Sequence, residues 1–116
     1  MKRNYLKGDV ILVELGKPPK GIKGHEQAYK RPCVVLKAFP QLQLAIIIPF
    51  TSASPKYSYY SIVRVLKGAN GLTEDSFALC HQIRAVSFDR IISKTGTLDV
   101  KDILKIQAVL IDLLDI

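Results

Sequence analysis

Arg31 and Thr51 are the residues of this chain best placed for chemistry. Pro32 fixes its own φ and pushes the residue before it out of the α region. Arg31 is thus the last extended residue before the apolar run Cys33-Val34-Val35-Leu36, an anchored position. A guanidinium held there can fork onto a phosphate, and its permanent charge suits stabilising a pentacovalent phosphorane. Thr51 and Ser52 follow Pro49-Phe50 at the end of a second apolar run, Leu44-Ala45-Ile46-Ile47-Ile48. Their hydroxyls can hydrogen-bond phosphate oxygens or a 2′-hydroxyl. Glu26, five residues before Arg31, can orient the guanidinium or act as a base. Taken singly, each also has an ordinary reading: a surface arginine beside a strand, an ST turn closing a strand, a solvated loop carboxylate.

Gln82 and Arg84 stand two apart in a strand-like run, which puts them on one face with Cys80 and opposite His81 and Ile83. No Ser-His-Asp constellation, phosphate loop or dinucleotide fingerprint occurs, and the glycines near Gly68 and Gly71 read as turn residues. Cys33 and Cys80 lie in apolar runs without CxxC spacing and read as reduced core thiols; His25 and His81 are isolated. No metal and no cofactor is expected.

The elements that must hold these residues are short strands followed by one helix. Asp9–Leu15 reads as a strand closed by Gly16 and Pro18-Pro19, and residues 16–30 as a long loop with three glycines and two prolines. Pro32–Ala38 and Leu44–Pro49 read as a hairpin across residues 39–43. Tyr59–Leu66, Ser76–Arg84 and Ile91–Lys94 read as further strands, with a turn at Gly68-Ala69-Asn70-Gly71. The period then changes. Asp99 is positioned as an N-cap, Asp102 complements the helix dipole, and Ile103, Ile106, Leu110 and Leu113 form a stripe at helical spacing. Val100, Leu104, Val109 and Ile111 widen that apolar face, so the helix calls for a second packing partner, either another subunit or deeper burial in its own chain. The fold class expected is mainly β: one domain over residues 1–116, a small strongly bent antiparallel barrel with a C-terminal helix.

The formal charge of +7 is unevenly placed. Residues 1–38 hold nine basic against three acidic residues, and the rest of the chain eight against seven. Five of the basic residues fall within positions 17–31, on the loop leading to Arg31, and a localised positive field attracts polyanions. No apolar run approaches the roughly 18 residues that span a bilayer, and no apolar stretch follows the basic N-terminus, so a cytoplasmic protein is expected.

The ordered set Gly8-Asp9-Val10, Gly24-x-Glu26-Gln27-x-x-x-Arg31-Pro32-x-Val34-Val35, Pro49-x-Thr51-Ser52, Gly71-Leu72-x-x-x-Ser76-x-Ala78-Leu79-x-x-Gln82-Ile83-Arg84 and Lys94-x-Gly96-x-Leu98 resembles the MazF/PemK/Kid family of toxin endoribonucleases. The resemblance runs from about Lys7 to Leu114. It implies a plasmid-maintenance-toxin fold, a homodimer, and sequence-specific, metal-independent cleavage of single-stranded RNA such as mRNA. In the family's usual mechanism the substrate's 2′-hydroxyl attacks the adjacent phosphate, leaving a 2′,3′-cyclic phosphate and a 5′-hydroxyl. Carried onto this sequence, Arg31, Thr51 and Glu26 are the catalytic residues. Ser52, Gln27, Gln82, Lys23, Lys30, Arg84 and His25 fall to substrate binding. His81 stands where many members have Asp, and His25 where many have a small residue. The resemblance further implies a cognate antitoxin whose acidic, partly disordered tail covers the basic groove. A 2′-hydroxyl nucleophile explains a site without a nucleophilic Ser, Cys or metal, since orientation and charge stabilisation suffice. The alternatives are a non-catalytic toxin on this scaffold that poisons DNA gyrase, and a nucleic-acid-binding barrel module.

Overall fold

Strand β3, Leu44–Thr51, is the element on which the fold turns, because three other strands pair with it. The structure is a computed structural model that describes residues 4–16, 29–53 and 60–116. In chain order the other strands are β1 (Asp9–Glu14), β2 (Lys30–Phe39), β4 (Ile62–Val65), β5 (Ser76–Leu79), β6 (Arg84–Ser87) and β7 (Ile91–Thr97), followed by helix α1 (Val100–Leu114). All pairings are antiparallel, in the order β4-β5-β3-β2-β1-β7, with β6 on β3 beside that path. The mainly β, bent antiparallel fold with a C-terminal helix is as expected, and among the described residues β4 and β7 do not pair with each other, so the path of the sheet stays open.

The β2–β3 hairpin forms as expected, with Phe39 opposite Leu44 across a 3-10 turn at Pro40–Leu42. Gln43 takes φ 54° to close it. The strand expected over Ser76–Arg84 is instead two strands separated by a 3-10 turn at Cys80–Gln82. The register explains the break. Thr51 faces Phe77 and Ile47 faces Arg84, so four steps along β3 are matched by seven along its partner. Three surplus residues must leave the ladder, and the turn absorbs them while the chain bends. Strand parity fails there: Cys80 is fully buried, whereas Gln82 and Arg84 stay partly exposed, so these two do not share a face with Cys80.

The bend leaves apolar residues on both faces of the central strands. Val10, Val34, Ile48 and Phe50 pack with Val63, Val65, Leu72, Ala78 and Leu98 under α1, which contributes Ile106 and Leu110. Ile11, Val13, Cys33, Val35, Ala45, Ile47 and Val86 form the other cluster. It is closed by Phe88 edge-on to Tyr5, with ring centroids 4.9 Å apart. Asp99 sits at the N-cap of α1 as expected, but its side chain makes no cap bond. Its carbonyl accepts the N–H groups of Asp102 and Ile103, each at 3.1 Å. Val100, Leu104, Ile111 and Leu114 leave an apolar stripe of α1 exposed.

Candidate functional site

Arg31 is held by the pairing of β2 with β1. Its Cα partner on β1 is Val13, and Pro32 lies opposite Leu12. Tyr29, two residues before Arg31, and Gly16, two residues after β1, have positive φ, 63° and 106°. The Leu15 N–H donates to the Tyr29 carbonyl at 2.8 Å, and the Tyr29 N–H to that of Gly16 at 2.6 Å. These bonds hold the end of β1 against the start of β2, two residues from Arg31.

Thr51 closes β3 opposite Phe77. Its Oγ1 accepts the Ala53 N–H at 3.2 Å, the ST turn foreseen as the ordinary reading. That bond uses one lone pair and leaves the hydroxyl proton able to donate. Ser52, the next residue, is exposed and meets Arg31 in a cavity of about 290 Å³. Leu12, Pro32 and Phe50 supply its apolar floor, and Thr73, Glu74, Ser76 and Thr95 its polar rim. The cavity has the right inventory for a phosphate and a base: a permanent cation, hydroxyl donors, a carboxylate acceptor and apolar surface.

Arg84 opens β6 opposite Ile47 and is not among the residues lining the cavity. Burial pushes the Cys33 thiol up to about 12, and the nearby charges of Arg84 and Arg31 oppose that shift. Both guanidinium groups therefore act on one thiol near the middle of the curled sheet. Lys30 is exposed at the start of β2 opposite Glu14. Gln82 is partly exposed in the Cys80–Gln82 turn and is not among the residues lining the cavity. Beside it, His81 Nδ1 lies 2.7 Å from Oγ of the fully buried Ser61, a hydrogen bond whose direction follows the imidazole tautomer. Lys23, His25, Glu26 and Gln27 lie outside the described residues. Among the described residues no cluster of three or more His, Cys, Asp or Glu is arranged to hold a metal.

Glu74, Thr73 and Thr95 were not legible as site residues. They reach the cavity through a non-local contact between two glycines. A Cβ on Gly71 would lie 2.7 Å from the Thr95 carbonyl carbon and oxygen, and one on Gly96 would lie 2.5 Å from those of Asn70. Gly71 also has φ +89°. The backbone approach that only glycines permit pins the turn before β5 onto β7 and brings residues 71–74 and Thr95 to the same rim.

The chain is thus a curled antiparallel sheet with a C-terminal helix that brings an arginine and a serine together at strand ends. The model of the PemK-like, MazF-like toxins of type II toxin–antitoxin systems matches residues 6–114, and the chain belongs to that family. Among solved structures it is similar to MazF from Deinococcus radiodurans, with TM-score 0.75, 21% identity, and coverage of 97% of this chain and 100% of that one. It is similar to the Mycobacterium tuberculosis toxin MazF-mt6, with TM-score 0.72, 16% identity, and coverage of 93% and 97%. It is also similar to an endoribonuclease in complex with its cognate antitoxin from a mycobacterial species, with TM-score 0.72, 16% identity, and coverage of 97% of each chain. At these identities the likeness speaks for the fold. No curated protein matches the chain by sequence. Among the described residues no helix is long and apolar enough to cross a membrane.

Proposed function

We propose that this chain is the toxin of a type II toxin–antitoxin pair and a sequence-specific endoribonuclease for single-stranded RNA. The observation that carries the reading is the meeting of Arg31 and Ser52 in one cavity, one residue from Thr51, in a chain of this family. The 2′-oxygen of the substrate loses its proton and bonds to the adjacent phosphorus. The bond from phosphorus to the 5′-oxygen breaks, and that oxygen takes up a proton from solvent water, while the 2′-hydroxyl's proton passes to Glu26. The products are a 2′,3′-cyclic phosphate and a 5′-hydroxyl, with no metal in the step. Arg31 neutralises the charge growing on the phosphoryl oxygens, a type of contact worth about 10²–10³ in rate. Thr51 and Ser52 orient the phosphate, and Glu26 serves as the base. Gln27, Gln82, Lys23, Lys30, Arg84 and His25 bind the flanking strand, whose bases must be splayed out to be read.

The exposed stripe Val100, Leu104, Ile111 and Leu114 supports a homodimer. A cognate antitoxin with an acidic, partly disordered segment competes with RNA for the basic side of the molecule. The test is cleavage of single-stranded RNA in EDTA by the parent protein and by Arg31→Ala and Thr51→Ala. Both variants should lose activity while their melting curves stay close to the parent's. Cleavage surviving both substitutions, or gyrase-mediated DNA breakage without RNA cleavage, would contradict the proposal.

A further inference from the structure

A second cavity, of about 320 Å³, lies between α1 and the turn that follows β4. Arg64, Lys67, Lys101 and Lys105 line it, together with Asp99 and Asp102. Asp99 and Asp102 offset only part of this charge, since four cations face two acids. Asp102 is 8% exposed and lies in the first turn of α1, where a carboxylate complements the helix's own dipole. Arg64 is engaged by Asp75 at 3.5 Å. Among the described residues none of the three lysines forms an ion pair, and all three are exposed. Lys101 and Lys105 are one helical turn apart, a spacing at which like charges repel. An unneutralised cluster of this kind in a concavity is a receptor for anionic groups.

The two cavities are neighbours built on shared elements. Residues 68–70 wall this one and residues 71–74 the other; Thr97 lines this one and Thr95 the other. Two residues of strand separate those threonines by roughly 6.6 Å. We propose that the Lys67–Lys101–Lys105 cavity binds backbone phosphates of the same RNA strand whose scissile phosphate sits at Arg31, beyond the Gly71–Gly96 contact. This rests on the ribonuclease reading above. The site carries no sequence information; it adds affinity and salt dependence.

The experiment uses Arg31→Ala protein, which binds without cleaving, and labelled mixed-sequence single-stranded RNAs of about 6 and about 16 nucleotides, the range one small β-domain covers. In that background, replacing Lys67, Lys101 and Lys105 by Ala should weaken the longer RNA at least tenfold and the shorter less than twofold. The slope of log affinity against log salt should fall by about 2, at roughly 0.7 per phosphate on a single strand. Replacing the same three lysines by Arg should restore both quantities, which separates charge from fold damage. An unchanged slope and unchanged affinity for the longer RNA in the triple Ala variant would overturn the site alone. Weakened binding of an acidic peptide with RNA affinity intact would assign the cavity to a protein partner and likewise overturn it. Failure of both the parent protein and the Arg31→Ala variant to bind either RNA would contradict the ribonuclease reading, and this site with it.

Discussion

Gly96→Ala adds one methyl group, and its consequences can be followed from an interatomic distance to a rate. The new Cβ would stand 2.5 Å from the Asn70 carbonyl carbon and oxygen and 2.6 Å from the Gly71 nitrogen. Ordinary carbon contacts lie near 3.5 Å, so the turn must retreat by about 1 Å. Its neighbours there are backbone atoms, which cannot swing aside as a side-chain tip does. The retreat pulls Leu72, 5% exposed, away from the cluster under α1. Overpacking of this kind costs about 1–3 kcal/mol. It also moves Thr73 and Glu74 away from Arg31 and Ser52, and a misplacement of about 1 Å in a catalytic site can cost about 10²-fold in rate. Gly68→Ala is the control, because a Cβ there meets nothing within 4 Å. Urea unfolding and RNA cleavage measured on both variants decide the matter. With an RNA of about 6 nucleotides, too short to reach the lysine cavity, Gly96→Ala should lose stability and activity while Gly68→Ala keeps both. A Gly96→Ala protein as stable and as active as the Gly68→Ala control would refute the reasoning that this contact builds the cavity rim.

Two further predictions concern buried groups away from the cavity. Asp9 is 2% exposed, and its carboxylate takes the Lys94 ammonium at 3.1 Å and the Leu6 N–H at 2.8 Å. Lys94→Met keeps the stem and removes the charge. It should cost about 1–3 kcal/mol in urea unfolding, the penalty for leaving a buried charged group under-satisfied. The Cys33 thiol is pushed up to about 12 and Cys80 to about 11, both chiefly by burial. Because the folded state holds these protons more tightly than the unfolded one, their contribution is fully present below about pH 9 and is lost as pH rises toward 12. Both thiols should resist a disulfide reagent at pH 8 until urea unfolds the chain; prompt labelling of the native protein would contradict their placement in the core.

The parts of the fold legible in the sequence are those set by local pattern. Pro32, the apolar runs on either side of residues 39–43, and the change to helical period after Asp99 each declare an element without outside help. The split of Ser76–Arg84 was hidden because apolar residues continue across Cys80, and only the register against β3 reveals three surplus residues. Asp99 stands where a cap belongs, yet it caps through its carbonyl rather than its side chain, a choice made by local backbone geometry. At the site, Arg31 and Ser52 were legible because Pro32 and a strand end anchor them. Glu74 and Thr95 were not, because they arrive through the contact of Gly71 with β7, between residues about two dozen positions apart.

The central claim is that the nucleophile belongs to the substrate. The most direct measurement compares a cleavable RNA with the same RNA carrying a single 2′-deoxynucleotide on the 5′ side of the scissile phosphate, both incubated with the protein in EDTA, with product ends mapped. The account predicts 2′,3′-cyclic phosphate and 5′-hydroxyl ends from the all-ribose strand and an intact deoxy-substituted strand. Cleavage of the deoxy-substituted strand, or 5′-phosphate ends from either, would contradict it.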